Sequence, residues 1–477
     1  MGCGILTTYP QIGAICGLQG VLVYSISSAL PIMLFAFAGP AIRKRCPEGF
    51  VLTEWVRQRF GLLSGLYLSF FTIVTMFLYM VAELSAIQLA IESLTGMNAL
   101  PVLIIECAVT AIYTSVGGFH TSFITDNVQG IMIFLLLIVC SIAMGLHIHI
   151  DHDLVQSSGF LEPSKLGWQL IYILPVAIAT NDCFLSGFWL RTFASKTDKD
   201  LFWACGIATV VIFIFLTLIG FTGLLAAWSG IWNPVTDAAD GANTFFLILV
   251  QMPGWVIGFV LVFTVSLSTA AFDSLISAMA SSISNDLFHN KLKIIYVRII
   301  VLLLMAPSIA VAIKAPNILN IYLISDLISA AVIPVLFLGL SKRFYFITGW
   351  ELIISGLGGI FSVFIFGAIY YNDAYAGAQL MIMEPQGIYA DDWSAFGAFM
   401  VAPFGGIIWG MATLAIRLSV LYVRAKAKGI PFTALDKPAH VDAPFGQEEE
   451  VTEDSVQDEE AIPSKKAGVR ATIANVF

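Results

Sequence analysis

Six acidic residues lie within long apolar segments of this chain, where ionisable side chains are rare and costly to bury. They are Glu83, Glu106, Asp126, Asp182, Asp273 and Asp326. Carboxylate oxygens suit small hard cations and the polar ends of small solutes. Each of the six therefore marks a candidate ion or solute position, and the surrounding segments indicate which of them belong together.

Asp273 lies on a stripe of hydroxyl groups within the apolar run FTVSLSTAAFDSLISAMASS, residues 263–282. Ser266, Thr269, Asp273 and Ser277 recur every three or four residues and so share one helix face. Small hydroxyl residues also let membrane helices pack closely, which is the competing explanation for the stripe. Packing alone does not explain the carboxylate, and we predict a cation site here.

Two further segments are apolar but interrupted by proline, glycine and polar residues. YILPVAIATNDCFLSGFW, residues 172–189, contains Asn181 and Asp182, and ILTTYPQIGAICG, residues 5–17, contains Gln11. Interrupted membrane helices expose backbone groups that bind ions and solutes near the bilayer midplane. Matching interruptions in two halves of the chain therefore predict a binding site, with a kinked structural helix as the alternative.

A third segment, YTSVGGFHTSFITDNVQG at residues 113–130, places Asp126 in the first turn of the span that follows a Gly-Gly loop. This position suits an ion ligand. It equally suits a structural role, because a carboxylate stabilises a helix N-terminus through the helix dipole. Both interpretations stay open at this stage.

The elements that carry these residues are predicted membrane helices. The chain of 477 residues is 58% hydrophobic and 12% charged, with a mean hydropathy of +0.88, whereas soluble domains are about one quarter charged. Apolar runs of about 20 residues, enough for the hydrocarbon core, recur along it, and such spans form helices. We predict spans near 4–16, 18–42, 62–93, 98–116, 120–147, 166–190, 200–229, 254–286, 292–314, 317–340, 347–371 and 396–423, with an interfacial helix at 244–253.

Lysine and arginine are concentrated on alternate loops. Before the C-terminal tail, 17 of them lie on one set of loops and 2, Lys165 and Lys314, on the other. The positive-inside rule makes the first set, and the tail, cytoplasmic. The same alternation makes segment 4–16 run outward, yet its 13 residues are too few to span. We therefore expect the upstream half of this helix to be missing from the chain as given.

The remaining charge points to no soluble partner or reaction. The net charge is -9, and much of the acidic excess lies in GQEEEVTEDSVQDEEA, residues 446–461, which is typical of a solvated tail. We expect no nucleic-acid partner. We find no nucleophile–base pair and no full set of metal ligands, so we predict that the protein is not an enzyme and needs no cofactor.

Several motifs together resemble the sodium:solute symporter family. GGFHTSFITDNVQG, residues 117–130, resembles the Gly-Gly loop of that family with its Thr-Asp pair and downstream Gln. RTFASKTDKD, residues 191–200, resembles the motif after the interrupted sixth core helix, and SSISNDLF, residues 281–288, the end of the eighth. The resemblance covers about residues 1–340. It implies an all-α, polytopic, leucine-transporter-like bundle of two inverted repeats of five helices, with about two additional C-terminal spans.

The resemblance also implies an organisation of the chain. A first repeat would occupy 1–147 with an incomplete first helix, an extracellular loop 148–165, a second repeat 166–340, additional helices 341–425, and an acidic, disordered cytoplasmic tail 426–477.

In this family the ion lies between a pair of hydroxyl groups on the eighth core helix and carbonyl groups of the broken first one. Ser268 and Thr269 match that pair. Ala270–Ala271 is a rival alignment, in which Ser266 and Asp273 would serve as substitutes. Asp126, in the loop motif, completes the predicted ion-binding residues.

The predicted solute cavity is lined by residues of both interrupted segments and of the tenth core helix. They are Gln11, Asn181, Asp182, Tyr322 and Asp326. The last two lie one turn apart, on the face that this fold turns inward.

The predicted function is secondary active symport of a small polar solute, such as urea, proline or a related metabolite, coupled to Na⁺ or H⁺. We expect a multi-pass protein of the lipid bilayer, with the plasma membrane as its location. A non-transporting nutrient sensor on the same scaffold, signalling through the acidic tail, is the alternative.

Overall fold

A computed structural model describes residues 2–46, 51–234, 236–288, 291–314, 317–384, 387–390 and 392–436. At 113, 115–126, 238–240, 294, 342 and 389–390 it describes the backbone alone. Every regular element in these ranges is a helix, which confirms the predicted all-α class. The acidic segment beyond residue 436, part of the predicted tail, lies outside the described residues.

The helices follow one another along the chain with short connections. They are α1 (Ile5–Arg45), α2 (Leu52–Phe60), α3 (Leu62–Thr95), α4 (Leu100–His147), α5 (His152–Ser157), α6 (Lys165–Asp182), α7 (Ser186–Ala194), α8 (Asp198–Trp228), α9 (Thr244–Val250), α10 (Gly254–Ser282), α11 (Ile294–Lys314), α12 (Ile318–Leu338), α13 (Gly349–Tyr371), α14 (Ala374–Leu380) and α15 (Ser394–Lys428). A π-helical turn, Ile283–Leu287, follows α10, and a 3₁₀ helix, Ala238–Asn243, precedes α9.

Within the described residues, nine helices are long and apolar enough to cross a membrane. The bent pair of α6 and α7 makes a tenth, and the first part of α4 is a shorter apolar helix. The protein is therefore a multi-pass membrane protein, as composition predicted. The short helix α9 lies where the interfacial helix was predicted.

The first helix reverses direction at Gly17, whose φ of 63° lies in the left-handed region. The rings of Tyr9 and Tyr24 stack with centroids 4.0 Å apart, whereas a continuous helix would separate these residues by about 22 Å. The two arms of α1, residues 5–16 and 18–45, therefore lie antiparallel. The reversal is held by Leu18 N, which donates to Phe160 O at 2.9 Å.

Replacing Gly17 by Ala is expected to destabilise the protein. The left-handed conformation alone costs a residue with a Cβ about 1–3 kcal/mol. A Cβ at this position would also lie 2.2 Å from Phe160 O, so the reversal or the loop must shift. The measurement is the thermal unfolding midpoint of purified protein. Gly96→Ala is the matched control, because Gly96 has a φ of 68° but open space around it; an equal loss in the two variants would contradict the steric argument.

The two halves of α4 also lie side by side. Gln129 Nε2 donates to Ser266 O at 3.3 Å, and Glu106 lies beside Ser268. A straight helix would separate residues 106 and 129 by about 34 Å, whereas their two partners are close neighbours on α10. The chain therefore reverses between the two halves, as the two separate predicted spans in this region require.

The predicted interruption near residue 182 is a sharp bend of 64° between α6 and α7. Leu185, at the break, has an extended backbone. The carbonyl freed at Cys183 accepts a hydrogen bond from Trp189 Nε1 at 2.8 Å, so the broken backbone is satisfied locally. The break leaves Asn181 and Asp182 at the end of α6, in the interior of the bundle.

The basic loops meet one another on one side of the bundle. Arg43 pairs with Asp198 at 3.0 Å and also donates to Ser195 O. Arg59 donates to Tyr345 O at 3.0 Å. These contacts join three loops that the charge pattern placed on the same membrane face.

The last two long helices, α13 and α15, pack against each other and against α12. Glu351 closes the first turn of α13 by accepting a hydrogen bond from Thr348 N, and it pairs with Arg417 Nε of α15 at 2.5 Å. Arg417 also donates to Phe346 O at 2.6 Å. These are the two additional C-terminal spans that the resemblance predicted.

Candidate functional site

Asn181 is the centre of a buried hydrogen-bond cluster where α3, α6 and α12 meet. Its Nδ2 donates to Asp326 Oδ1 at 2.6 Å and to Tyr79 Oη at 2.7 Å. Its Oδ1 accepts from the Ser325 hydroxyl at 3.1 Å. The amide is fully buried, and its three partners fix its orientation.

A second carboxylate, Asp182, lies close to this cluster. Asp182 and Asp326 are both buried and near enough to repel each other. Tyr9, on the first arm of α1, lies near both carboxylates. The structure therefore brings together Asn181, Asp182 and Asp326, three of the five predicted solute-binding residues.

Glu83 of α3 forms a second polar cluster at the start of the first arm. Its carboxylate accepts hydrogen bonds from Cys3 N at 2.7 Å and Gly4 N at 3.4 Å. It also accepts one from the Tyr322 hydroxyl at 3.1 Å. A carboxylate at a helix N-terminus is favourable, so Glu83 anchors the first arm to α3. Tyr322, predicted to line the cavity, belongs to this cluster.

The two clusters are joined by an aromatic pair. The rings of Tyr79 and Tyr322 meet edge to face, with centroids 4.8 Å apart. Tyr79 lies one turn before Glu83 on α3, and Tyr322 lies one turn before Asp326 on α12. Tyr79 accepts a hydrogen bond from Asn181, at the level of Asp326, and Tyr322 donates one to Glu83. The two levels are therefore separated by four residues along each helix, or about 6 Å.

The buried charged side chains of the described residues are all acidic. They are Glu83, Glu106, Asp182, Asp273, Asp286, Asp326 and Glu351. Glu351 has Arg417 as its partner. Within the described structure, no lysine, arginine or histidine side chain pairs with the carboxylates of the two clusters. The two clusters therefore offer carboxylate oxygens without a basic side chain beside them in the described structure, which suits a cationic ligand.

The hydroxyl groups predicted to bind the ion point in different directions on α10. Ser268 is fully buried, and its Oγ has no hydrogen-bond partner among the described residues. It lies beside Cys3 and Glu106. Thr269 Oγ1 donates to Val265 O of its own helix and Ser266 Oγ to Val262 O, both at 2.8 Å. Ser268 is thus the member that faces the broken first helix.

The other two predicted ion ligands are the carboxylates Asp273 and Asp126. Asp273 is fully buried on α10 and has a partner of its own within the protein. The side chain of Asp126 lies outside the described residues. Their roles as ion ligands stay predictions.

No hydrogen bond among the described residues joins Gln11 to the carboxylates. Gln11 lies beside Gly241 of the 3₁₀ helix that precedes α9, and its Oε1 is buried without a partner in the described structure. A cavity of about 300 Å³ lies on another side of the first arm, between α1, α4 and α8. Its lining is mainly apolar and contains none of the acidic residues named above.

Three residues at or beside the site, Glu83, Glu106 and Tyr79, have no role among the predicted ion- and solute-binding residues. From the sequence, Glu83 and Glu106 stand out only as acidic residues within apolar segments, with no indication of which residues they contact. Tyr79 does not stand out. The signal was available for two of them. The sequence YMVAE at 79–83 and YLISD at 322–326 both place a carboxylate four residues after a tyrosine.

Comparison with known proteins places the chain in one group. Residues 1–344 match the model of the sodium:solute symporter family. A spermidine transporter of Candida albicans is 54% identical over 468 residues, 98% of this chain and 89% of that protein. A probable urea active transporter of Schizosaccharomyces pombe is 29% identical, but over only 27% of this chain and 19% of its own length.

The fold has a solved counterpart in a Na⁺-coupled sialic acid symporter in its substrate-bound, outward-open state. The TM-score is 0.60 at 13% identity, over 87% of this chain and 89% of that one. This likeness confirms the leucine-transporter-like architecture. The relatives are transporters, so the protein is not an enzyme, as predicted. With the family model covering most of the chain and a relative similar over nearly all of it, this protein belongs to the sodium:solute symporter family.

Proposed function

We propose that the protein is a secondary active transporter that carries a polyamine such as spermidine, coupled to Na⁺ or H⁺. The observation that carries this proposal is the acidic interior. Buried carboxylates of α3, α6 and α12 lie in two neighbouring clusters, and within the described residues no buried basic side chain neutralises them. Burying such groups is costly unless a cation accompanies them. A cationic solute supplies that charge when it binds.

The geometry of the two clusters supports a solute with more than one ammonium group. Glu83 lies at one level and Asp326 at the other, about one helical turn away. This separation along the helix axes is comparable to the length of the three- and four-carbon spacers between the nitrogen atoms of spermidine. The edge-to-face pair of Tyr79 and Tyr322 between the levels offers aromatic surface to the methylene groups and the cations.

Urea is the second candidate. Relatives named as urea transporters match parts of this chain, and Asn181, Ser325 and Tyr79 form a neutral hydrogen-bonding group that suits an amide. Proline is less favoured, because its carboxylate would meet like charges and no buried basic partner in the described structure.

The coupling ion is proposed to bind where Ser268 faces the start of α1, with Thr269 beside it. Ser266, Asp273 and Asp126 are kept as further candidates. We also propose a plasma-membrane location. The C-terminus is proposed to be cytoplasmic, because basic residues are concentrated on one face. The division into repeats at 1–147 and 166–340 belongs to the same proposal.

The decisive experiment is uptake of labelled spermidine by cells that express the full chain and lack their own carriers. Uptake is expected to exceed that of vector controls and to fall when Na⁺ is replaced by choline or when the proton gradient is collapsed. Unlabelled diamines are expected to compete, and proline is not. Competition by urea with no effect of diamines would favour the second candidate. Robust surface expression without uptake of any solute would favour the sensor alternative.

A further inference from the structure

Glu106 is a buried carboxylate that no predicted site includes. It lies two turns from the start of α4 and is only 5% exposed. Neither of its oxygens has a hydrogen-bond partner among the described residues. An uncompensated buried carboxylate is among the most costly arrangements inside a membrane protein, which points to a ligand that completes it.

A second unpartnered oxygen lies next to it. Ser268 Oγ of α10 is fully buried, makes no hydrogen bond in the described structure, and lies beside Glu106. Cys3, at the start of the first arm, neighbours both. Residues of α4, of α10 and of the turn before α1 therefore lie together, and Glu106 and Ser268 contribute oxygen atoms that make no hydrogen bond among the described residues.

The backbone around this point is held in place by Glu83. Its Oε2 accepts from Cys3 N at 2.7 Å, and its main-chain oxygen accepts from Cys3 Sγ at 3.4 Å. Cys3 therefore links the position beside Glu106 to Glu83, one of the carboxylates of the proposed solute site. A ligand bound at one position changes the electrostatic environment of the other, and such coupling is reciprocal.

We propose that Glu106 and Ser268 together bind the coupling cation, with the carboxylate as its charged ligand. Carboxylate and hydroxyl oxygens are hard ligands that suit Na⁺, and the same carboxylate accepts a proton. Either cation neutralises Glu106 and gives its oxygens a partner. The role of this cation in driving transport rests on the proposed function, whereas its binding at Glu106 and Ser268 does not.

The test measures binding without transport. Full-length protein in detergent is unfolded thermally in increasing NaCl, with choline chloride keeping the ionic strength constant, at an acidic and at a near-neutral pH. A ligand that binds only the folded protein raises the midpoint as its concentration rises. A Na⁺ site predicts a rise with NaCl, and a proton site predicts a higher midpoint at acidic pH regardless of Na⁺.

Glu106→Gln is expected to abolish the response, because the amide keeps the shape and removes the charge. Ser268→Ala is expected to weaken apparent cation affinity about tenfold, the usual effect of losing one hydrogen-bonding or ligating oxygen to a charged group. Glu83 and Cys3 are the titratable neighbours, so Glu83→Gln is measured in parallel; its midpoint is expected still to rise with NaCl, at a shifted concentration because the Glu83 charge acts on Glu106. Glu92→Gln, an exposed carboxylate on α3, is the control and should behave as wild type.

Two results would overturn the proposal. One is a wild type whose midpoint responds to neither Na⁺ nor pH. The other is a Glu106→Gln variant that responds as wild type does. If Glu106→Gln does not fold, Ser268→Ala and Glu106→Asp decide the matter by their shifted affinities, and unchanged affinities in both would refute the site. Because no solute is present, failure of spermidine uptake leaves this result intact, and the two proposals fail separately.

Discussion

Spermidine uptake is expected to fall by at least about thirtyfold when Asp326 is replaced by Asn, since losing one member of a buried charge pair costs about 2 kcal/mol or more. The substitution is nearly isosteric. The amide oxygen of Asn can still accept the hydrogen bond that Asn181 Nδ2 donates to Asp326 Oδ1 at 2.6 Å. What disappears is the negative charge. The measurement is the initial rate of uptake at several spermidine concentrations, normalised to the amount of protein at the cell surface.

Asp373→Asn is the matched control for this variant. Asp373 is an exposed aspartate that begins α14, away from the carboxylate clusters, and Asn preserves its capping oxygen. This control is expected to transport at the wild-type rate. Unchanged spermidine uptake by Asp326→Asn, at equal surface expression, would show that the cationic solute does not use this carboxylate.

The membrane helices could be predicted from sequence because their signals are local. Long apolar runs fix the spans, and the alternation of basic loops fixes their order. The break after Asp182 could be predicted as well, because proline, glycine and a polar pair interrupt one apolar run. The antiparallel packing of the arms of α1 was implied by the alternation, but the role of Gly17 as the turning point depends on its contact with Phe160.

The candidate site was only partly predictable, because its clusters join residues that are far apart in the chain. Asn181 and Asp326 could be singled out as polar residues in apolar helices. Their mutual hydrogen bond, across 145 positions, depends on how α6 packs against α12. Glu83 shows the same limit. Its partners Cys3 and Tyr322 lie in the turn before α1 and on α12, so its sequence context alone marks it as a candidate but not as part of this site.

The hydroxyl stripe on α10 shows that periodicity predicts which residues share a helix face, but not which neighbouring helix that face contacts. Ser266, Thr269 and Asp273 share one helix face, as predicted from their spacing. Ser268 lies on a different face, and only the packing of α1 and α4 brings that face to Cys3 and Glu106. The resemblance selected Ser268 because the family has a hydroxyl there, whereas periodicity favoured the other stripe.

Replacing Glu83 by Gln is expected to change which cations the protein prefers more than whether it binds them. If one ammonium group pairs with Asp326 and a second with Glu83, a monoamine uses only the first. Wild type should therefore bind spermidine at least about tenfold more tightly than a monoamine of similar size, the lower range for one charged hydrogen bond. In Glu83→Gln this ratio should fall towards one. The measurement is the concentration of each amine that halves uptake of labelled spermidine.

The structure favours this variant as a test, because Gln can keep one acceptor for Cys3 N while it removes the charge. Glu92→Gln is again the matched control, since Glu92 lies on the same helix, is exposed, and accepts a hydrogen bond from Gln88. Tyr322→Phe separates charge from orientation. It removes the hydroxyl that donates to Glu83 and should reduce the preference less than Glu83→Gln does. If Glu83→Gln still prefers spermidine over the monoamine as strongly as wild type does, Glu83 does not pair with the second ammonium group of the solute.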